Sequence, residues 1–303
     1  MAHAPSPRTL TVAAHAKVNL VLRILAREAS GYHGLETLFQ RLALHDAVTV
    51  TVDVPTRSLT CAGAALPPGG LGTVEDNLAW RAAAAYVEAA GWDTGWSLTI
   101  DKVIPVGGGL GGGSADAGAV LRALEALSPR PLGPARLVAL AGALGADVPF
   151  LTLDVSRAWA WGRGDRLLPL PALAPMRVTL VAFAHGVETA AAYRAVAQAR
   201  SDAGAAVSAA AYPMGALEQW ASLCALGAND FETVVPALHP GVAGVLPLLR
   251  DEAARLRAAG HPALALLSGS GATCFLLHPL EAPPRLDTTA LPAGGRWVAT
   301  RTA

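Results

Sequence analysis

The stretch of the chain best suited to chemistry is Pro105-Val106-Gly107-Gly108-Gly109-Leu110-Gly111-Gly112-Gly113-Ser114, with six glycines in seven positions running into an amphipathic segment. Glycine lets a backbone approach an oxyanion closely and take positive φ, and a helix start presents unpaired N–H groups at the positive end of its dipole. The combination is an anion site, and a nucleoside triphosphate is its natural ligand. A flexible linker could share the composition, but it would not be bracketed so tightly by a patterned strand and a patterned helix. Two better-known phosphate loops fit poorly. A Walker loop closes on Gly-Lys-Ser/Thr, and here Gly113 meets Ser114 with no lysine between. Gly107, Gly109 and Gly112 match the dinucleotide fingerprint in form, yet that fingerprint expects an acid ending a second strand about 20 residues on. Glu125 falls inside the helical run instead.

The elements that must hold this loop are legible from apolar spacing. Trp96, Leu98 and Ile100 alternate just before it, as do Val48, Val50 and Val52, and both runs read as strands. Val18, Leu20, Leu22 and Ile24 alternate too, which predicts a half-buried strand whose other face carries Lys17, Asn19 and Val21. Downstream, Ala117, Val120, Leu121, Leu124 and Leu127 follow helical spacing until Pro129 and Pro131, with Ser114 as the cap. Asp76 is placed to cap a helix from about Asn77 to Ala90, ended by Gly91. Pro134 opens another that stops at Gly145, and Asp147 then lies in a tight link to an expected strand, Val148 to Leu153. The second half predicts a strand at Val178–Phe183, helices near Ala190–Arg200 and Val245–Ala259, and two strands flanking Ser268-Gly269-Ser270-Gly271. Little helical pattern follows Pro279.

With 303 residues the chain is long for one core, so two domains are expected, meeting near Arg157: 1–157 and 158–303. It is 52% hydrophobic, but no run reaches the roughly 18 apolar residues of a membrane span, so it should be soluble. Acidic and basic residues balance at 23 each, giving no general electrostatic reason to bind nucleic acid or an anionic membrane. Cys61, Cys224 and Cys274 are far apart and show no metal-ligand spacing, which fits a reducing cytoplasm and predicts no protein metal site. No signal-peptide core is seen after Met1.

Six segments carry a family resemblance. Pro105, Gly109, Leu110 and Ser114 fit the Pro-x3-Gly-Leu-x-x-x-Ser phosphate motif of the galactokinase, homoserine kinase, mevalonate kinase and phosphomevalonate kinase (GHMP) superfamily. Ala14-His15-Ala16-Lys17-Val18-Asn19-Leu20 resembles its first motif, and Leu267-Ser268-Gly269-Ser270-Gly271-Ala272 its third. Gly31-Tyr32-His33-Gly34-Leu35-Glu36-Thr37-Leu38-Phe39-Gln40, Gly145-Ala146-Asp147-Val148-Pro149-Phe150 and Asn229-Asp230-Phe231-Glu232 resemble the branch that phosphorylates a cytidine diphosphate-linked methylerythritol in non-mevalonate isoprenoid synthesis.

The resemblance implies an α+β fold: an amino-terminal domain like ribosomal protein S5 domain 2, a carboxy-terminal split βαβ domain, and the active site in the cleft. It implies ATP with Mg²⁺, and transfer of the γ-phosphate to the 2-hydroxyl of that alcohol. Asp147 would accept the hydroxyl proton and Lys17 would hold the carboxylate and stabilise the transferring group. ATP would rest on Pro105, Gly107, Gly108, Gly109, Leu110, Gly111, Gly112, Gly113 and Ser114, with Lys102, Asp76 and Asn77 near the adenine. Ser268–Gly271 would back the glycine loop. Asn19, Tyr32, His33, Thr189 and Tyr193 would bind the acceptor, the aromatic rings stacking on cytosine. Ser114 would touch phosphate or Mg²⁺. No nucleic-acid or membrane partner is implied, and the protein would be a monomer or homodimer. A homoserine or mevalonate type of kinase, or a nucleotide-binding protein without catalysis, would share the loop. His15, Gly34 and Asp165 stand where the family usually has proline, an acid and glutamate.

Overall fold

Most of the elements predicted from the sequence form where strand patterning and helix-stop residues place them, and the structure adds others that the patterning did not reveal. The computed structural model describes residues 6–27, 33–204, 211–287, 291–292 and 294–303. The chain divides into two compact units, Met1–Ala16 with Leu44–Val106 and Gly111–Asp154, and Lys17–Ala43 with Gly107–Leu110 and Val155–Ala303. The long strands β1 (Arg8–Arg27) and β2 (His33–Val54) each contribute residues to both.

In the first unit, the later part of β2 pairs antiparallel with β4 (Gly95–Asp101), which pairs parallel with β3 (Ser58–Ala62). Val48, Val50, Val52, Trp96, Leu98 and Ile100 all point into the core, which is what their alternation demands. Against this lie α1 (Leu78–Ala90), α2 (Gly112–Leu127), α3 (Pro134–Leu144) and α4 (Val148–Thr152). α1 ends as expected on left-handed Gly91, but its N-cap is Asn77, whose side chain accepts from the Ala79 N–H at 2.9 Å. Asp76 instead accepts from the Thr73 hydroxyl one turn earlier. α2 begins sooner than predicted, with left-handed Gly111 (φ 73°) as its cap and Ser114 as its third residue. The segment Val148–Leu153, expected as a strand, forms helix α4. A short apolar run looks the same in either form, and here Pro149 sits in the first turn while Thr152 Oγ1 returns to the Val148 carbonyl at 2.7 Å.

In the second unit, the early part of β2 pairs antiparallel with β5 (Arg157–Gly162), and β5 with β6 (Arg166–Leu170). A second sheet has the order β11-β7-β10-β9, all antiparallel, with β7 at Arg177–Phe183, β9 at Leu264–Leu267, β10 at Cys274–His278 and β11 at Gly295–Arg301. Its inner face (Val181, Phe183, Ala265, Leu267, Cys274, Leu276) packs on α5 (Thr189–Ala203) and α8 (Pro240–Ala258) through Ala192, Val196, Val242, Val245, Leu249 and Leu256. Helices α6 (Trp220–Leu226) and α7 (Val235–Leu238) flank β8 (Ala228–Asn229), which pairs parallel with β1 at Val21 and Leu22. This corrects the half-buried reading of β1. Lys17 and Asn19 are 3% and 2% exposed and Val21 is fully buried, so both faces of the strand are covered and the two polar side chains must find partners inside.

Candidate active site

Within the second unit those partners converge on the glycine-rich loop. The Lys17 backbone N–H donates to the Leu110 carbonyl at 3.0 Å. Its ammonium donates to the Gly109 carbonyl at 3.0 Å and to Asn19 Oδ1 at 2.9 Å, and lies 5.7 Å from the centroid of the Phe39 ring. A chain of donors sets the direction of the Asn19 amide. Thr37 Oγ1 donates to the Val21 carbonyl at 2.7 Å, which leaves its lone pairs for Asn19 Nδ2 at 2.8 Å. Asn19 Oδ1 is thereby turned toward the Lys17 ammonium and the Gly269 N–H, the latter at 3.1 Å.

The loop itself is locked by close backbone approach. Gly109 has φ 79°, and a Cβ there would stand 2.1 Å from the Ser268 carbonyl oxygen, so only glycine fits. Ser268 Oγ donates to the Gly109 carbonyl at 3.0 Å, and the Thr273 N–H to the Gly108 carbonyl at 3.1 Å. The turn 268–271 thus backs residues 107–110. Thr189, the first residue of α5, shares a hydrogen bond with Ser270 at 2.9 Å between hydroxyls. Tyr193, one turn on, sets its half-buried ring edge-on to Phe231, centroids 4.9 Å apart.

A separate group of contacts lies within the first unit. Gly111 offers no side chain to cap α2, so the first-turn N–H groups of Gly112, Gly113 and Ser114 lack a side-chain acceptor. Helix starts of this kind bind anions. Lys102, 2% exposed, ties this helix to the segment entering the loop: its ammonium donates to Asp46 Oδ2 at 2.5 Å and to Asp116 Oδ2 at 2.6 Å. Asp46 Oδ1 in turn takes the N–H groups of Val103 and Ile104, immediately ahead of Pro105. Burial alone would depress the Lys102 ammonium, but Asp116 and Asp46 outweigh it and the net displacement is upward. Burial likewise pushes the Asp116 carboxyl up to about 7 against the pull of Lys102.

Asp147 stands at the head of α4 with helical backbone angles (φ −86°, ψ −19°), its side chain half-buried and making no capping bond. Tight packing fixes that short helix. Gly118 of α2 passes so close that a Cβ would lie 2.7 Å from the Leu151 oxygen, and Arg122 spans from that oxygen at 2.5 Å to the Ala13 carbonyl at 2.6 Å.

The second unit therefore gathers Lys17, Asn19, Gly108, Gly109, Leu110, Thr189 and the turn 268–271, whereas the Asn77 oxygen is committed to capping and Lys102 to two carboxylates. Tyr32 lies outside the described residues, and His33 is described only as the backbone that opens β2. Thr37, Asp46 and Asp116 are contacts that sequence reading missed. Thr37 lies inside the quoted segment that begins at Gly31, and Asp116 lies two residues after Ser114, but Asp46 is reached only through tertiary folding. Among the described residues, no group of three or more His, Cys, Asp or Glu side chains is arranged to hold a metal ion.

Fold and loop together define a GHMP-type kinase. Residues 77–154 match the family described as GHMP kinases N terminal domain. A homoserine kinase from Cytophaga hutchinsonii shares the fold at TM-score 0.63 and 18% identity, over 97% of this chain and 94% of that one. At higher identity, a crystal structure of 4-(cytidine 5'-diphospho)-2C-methyl-D-erythritol kinase superposes with TM-score 0.70 at 36% identity, covering 97% of this chain and 99% of that chain. The 4-diphosphocytidyl-2-C-methyl-D-erythritol kinase of Parvibaculum lavamentivorans is 37% identical over 297 residues, 95% of this chain and 96% of its own. The chain belongs to the 4-diphosphocytidyl-2-C-methyl-D-erythritol kinase family.

Proposed function

We propose that this enzyme transfers the γ-phosphate of ATP to the 2-hydroxyl of 4-diphosphocytidyl-2-C-methyl-D-erythritol, giving the 2-phosphate and ADP, a step of non-mevalonate isoprenoid precursor synthesis. The observation that carries the reading is the buried Lys17 ammonium, held against the carbonyl of Gly109 in the phosphate-type loop by an asparagine whose orientation is itself fixed. Phosphoryl transfer passes through a loose transition state, so the protein's task is to position groups and neutralise charge. Lys17 supplies the charge, and Asp147 takes the hydroxyl proton. The loop residues Pro105 to Ser114 hold the phosphates through backbone N–H groups, with Asn77 and Lys102 on the adenine side.

Asn19, Tyr32, His33, Thr189 and Tyr193 bind the acceptor. In this reading residues 1–157 form the ATP-binding domain and 158–303 the second kinase domain. Mg²⁺ bound with the nucleotide would shield its phosphate charge, and the Ser114 hydroxyl, third in α2, would contact the phosphate or serve as an oxygen ligand to that ion. In the same reading the enzyme is cytoplasmic, a monomer or homodimer, and acts on a small molecule; among the described residues no helix is long and apolar enough to cross a membrane.

A coupled assay of ADP release with the cytidylated alcohol, mevalonate and homoserine tests the assignment, and turnover with either of the last two in preference to the first refutes it. Asp147→Asn should leave ATP affinity largely intact and lower kcat by about 10²-fold or more. Near-normal turnover of that variant excludes the general-base role and would favour a different proton acceptor.

A further inference from the structure

The segment Asn229-Asp230-Phe231-Glu232 takes no part in the chemistry above, yet each of its side chains is committed to something that does. Asn229, buried, donates from Nδ2 to the carbonyls of Leu267 and Gly269, both at 2.8 Å, while its Oδ1 takes the Phe231 N–H at 3.0 Å. Glu232 Oε1 accepts the Leu267 N–H at 2.6 Å, and its other oxygen meets Arg250. Both backbone groups of Leu267 are therefore fixed from this segment, and so is the carbonyl of Gly269, whose N–H faces Asn19.

The two middle residues face the opposite way. Asp230 Oδ2 accepts from the Ile24 N–H at 2.8 Å and from Arg200 Nη2 at 2.7 Å, and Oδ1 accepts from Arg23 at 3.2 Å. Arg200 Nη1 donates to the Ile24 carbonyl at 2.6 Å. The Asp230–Arg200 pair thus clasps both the N–H and the carbonyl of one residue of β1, upstream in sequence of Tyr32 and His33. Arg200 lies in the last turn of α5, the helix that carries Thr189 and Tyr193, and Phe231 holds the Tyr193 ring.

We infer that residues 229–232 form a positioning element with two outputs. Asn229 and Glu232 hold the turn behind the glycine loop, whereas Asp230, clasped to Arg200, and Phe231 hold α5 and β1 in the register that binds the cytidine-bearing acceptor. The inference rests on the proposed function and adds to it a determinant of acceptor affinity that touches no substrate. A planar guanidinium can bridge a carbonyl and a carboxylate simultaneously, and an ammonium on a flexible stem cannot hold the same geometry.

The test is steady-state kinetics of the full chain as wild type, Asp230→Asn and Arg200→Lys, with thermal midpoints recorded alongside. Both variants should raise KM for the cytidylated alcohol by about tenfold or more while KM for ATP stays within about twofold, a split that general loosening of the fold would not produce. Equal rises in both KM values, or no rise in a folded variant, overturn the inference and leave the proposed function standing. A wild type that turns over mevalonate or homoserine but not the cytidylated alcohol overturns both. Should Asp230→Asn fail to fold, Arg200→Lys decides, because it keeps the charge and alters only the bridging geometry.

Discussion

Replacing Gly109 by alanine puts the loop's geometry to its hardest test. The new Cβ would start 2.1 Å from the Ser268 carbonyl oxygen and 3.2 Å from the Gly271 nitrogen, so something must move by about an ångström to reach ordinary contact. The backbone also sits at φ 79°, which costs an L-residue about 1–2 kcal/mol before any clash. Keeping the loop in place adds overpacking strain of about 1–3 kcal/mol. Letting it move breaks the bonds that the Gly109 carbonyl accepts from Lys17 and Ser268, each 3.0 Å, at about 1.5–3 kcal/mol for the charged donor and about 1 for the neutral one.

Either route leads to a loss of about 2–5 kcal/mol, read as a fall of several degrees in Tm. It also displaces the Lys17 ammonium, to which the proposed function gives the charge-stabilising role, and a misplacement of about 1 Å can cost about 10²-fold in kcat/KM. The assay is ADP release beside thermal unfolding, with Gly113→Ala as the comparison for stability. Gly113 lies in the first turn of α2, where an added Cβ would meet only Leu78 at 3.9 Å, so its Tm should hold or rise. A Gly109→Ala protein with wild-type Tm and kcat/KM within about threefold of wild type would refute the reasoning, since neither the strain nor the misplacement could then be real.

Three further outcomes follow from single contacts. The Asp116 carboxyl, raised to about 7 by burial, retains in the folded protein a proton that the unfolded chain gives up near pH 4, so the stability it contributes is whole below about pH 4 and is lost as pH rises toward 7. In urea titrations at pH 5 and pH 8, wild type should lose stability relative to Asp116→Asn on going to the higher pH, and parallel profiles would exclude the shift. Asn77→Ala removes the α1 cap and should cost about 1 kcal/mol, measured as a lower urea midpoint at unchanged slope. Gly118→Ala drives a methyl group toward the Leu151 carbonyl and should cost about 1–3 kcal/mol while lowering kcat more than it raises KM for ATP, because α4 carries Asp147 at its head. A kcat at the wild-type level would show that the position of α4 does not matter to turnover.

The sequence alone determined the elements whose periodicity is strong and whose ends carry stop signals: the strands around Val50 and Leu98, the helices ending on Gly91 and Gly145, and the glycine loop opening α2. It also determined that Lys17 and Asn19 share a strand face, because a pleated backbone sends alternate side chains to the same side. It did not determine α4, since a short apolar run has no period to read. Nor did it determine that the Lys17 face is buried rather than wet. That was decided by tertiary structure, which brings the Gly109 carbonyl, Asn19 and the ring of Phe39 around one ammonium. Asp46 with Lys102 and Asp116, and Asp230 with Arg200 and Ile24, are likewise invisible along the chain. A buried charge has no preferred sequence spacing to its partner; it is satisfied by whichever group the fold carries to within hydrogen-bond reach.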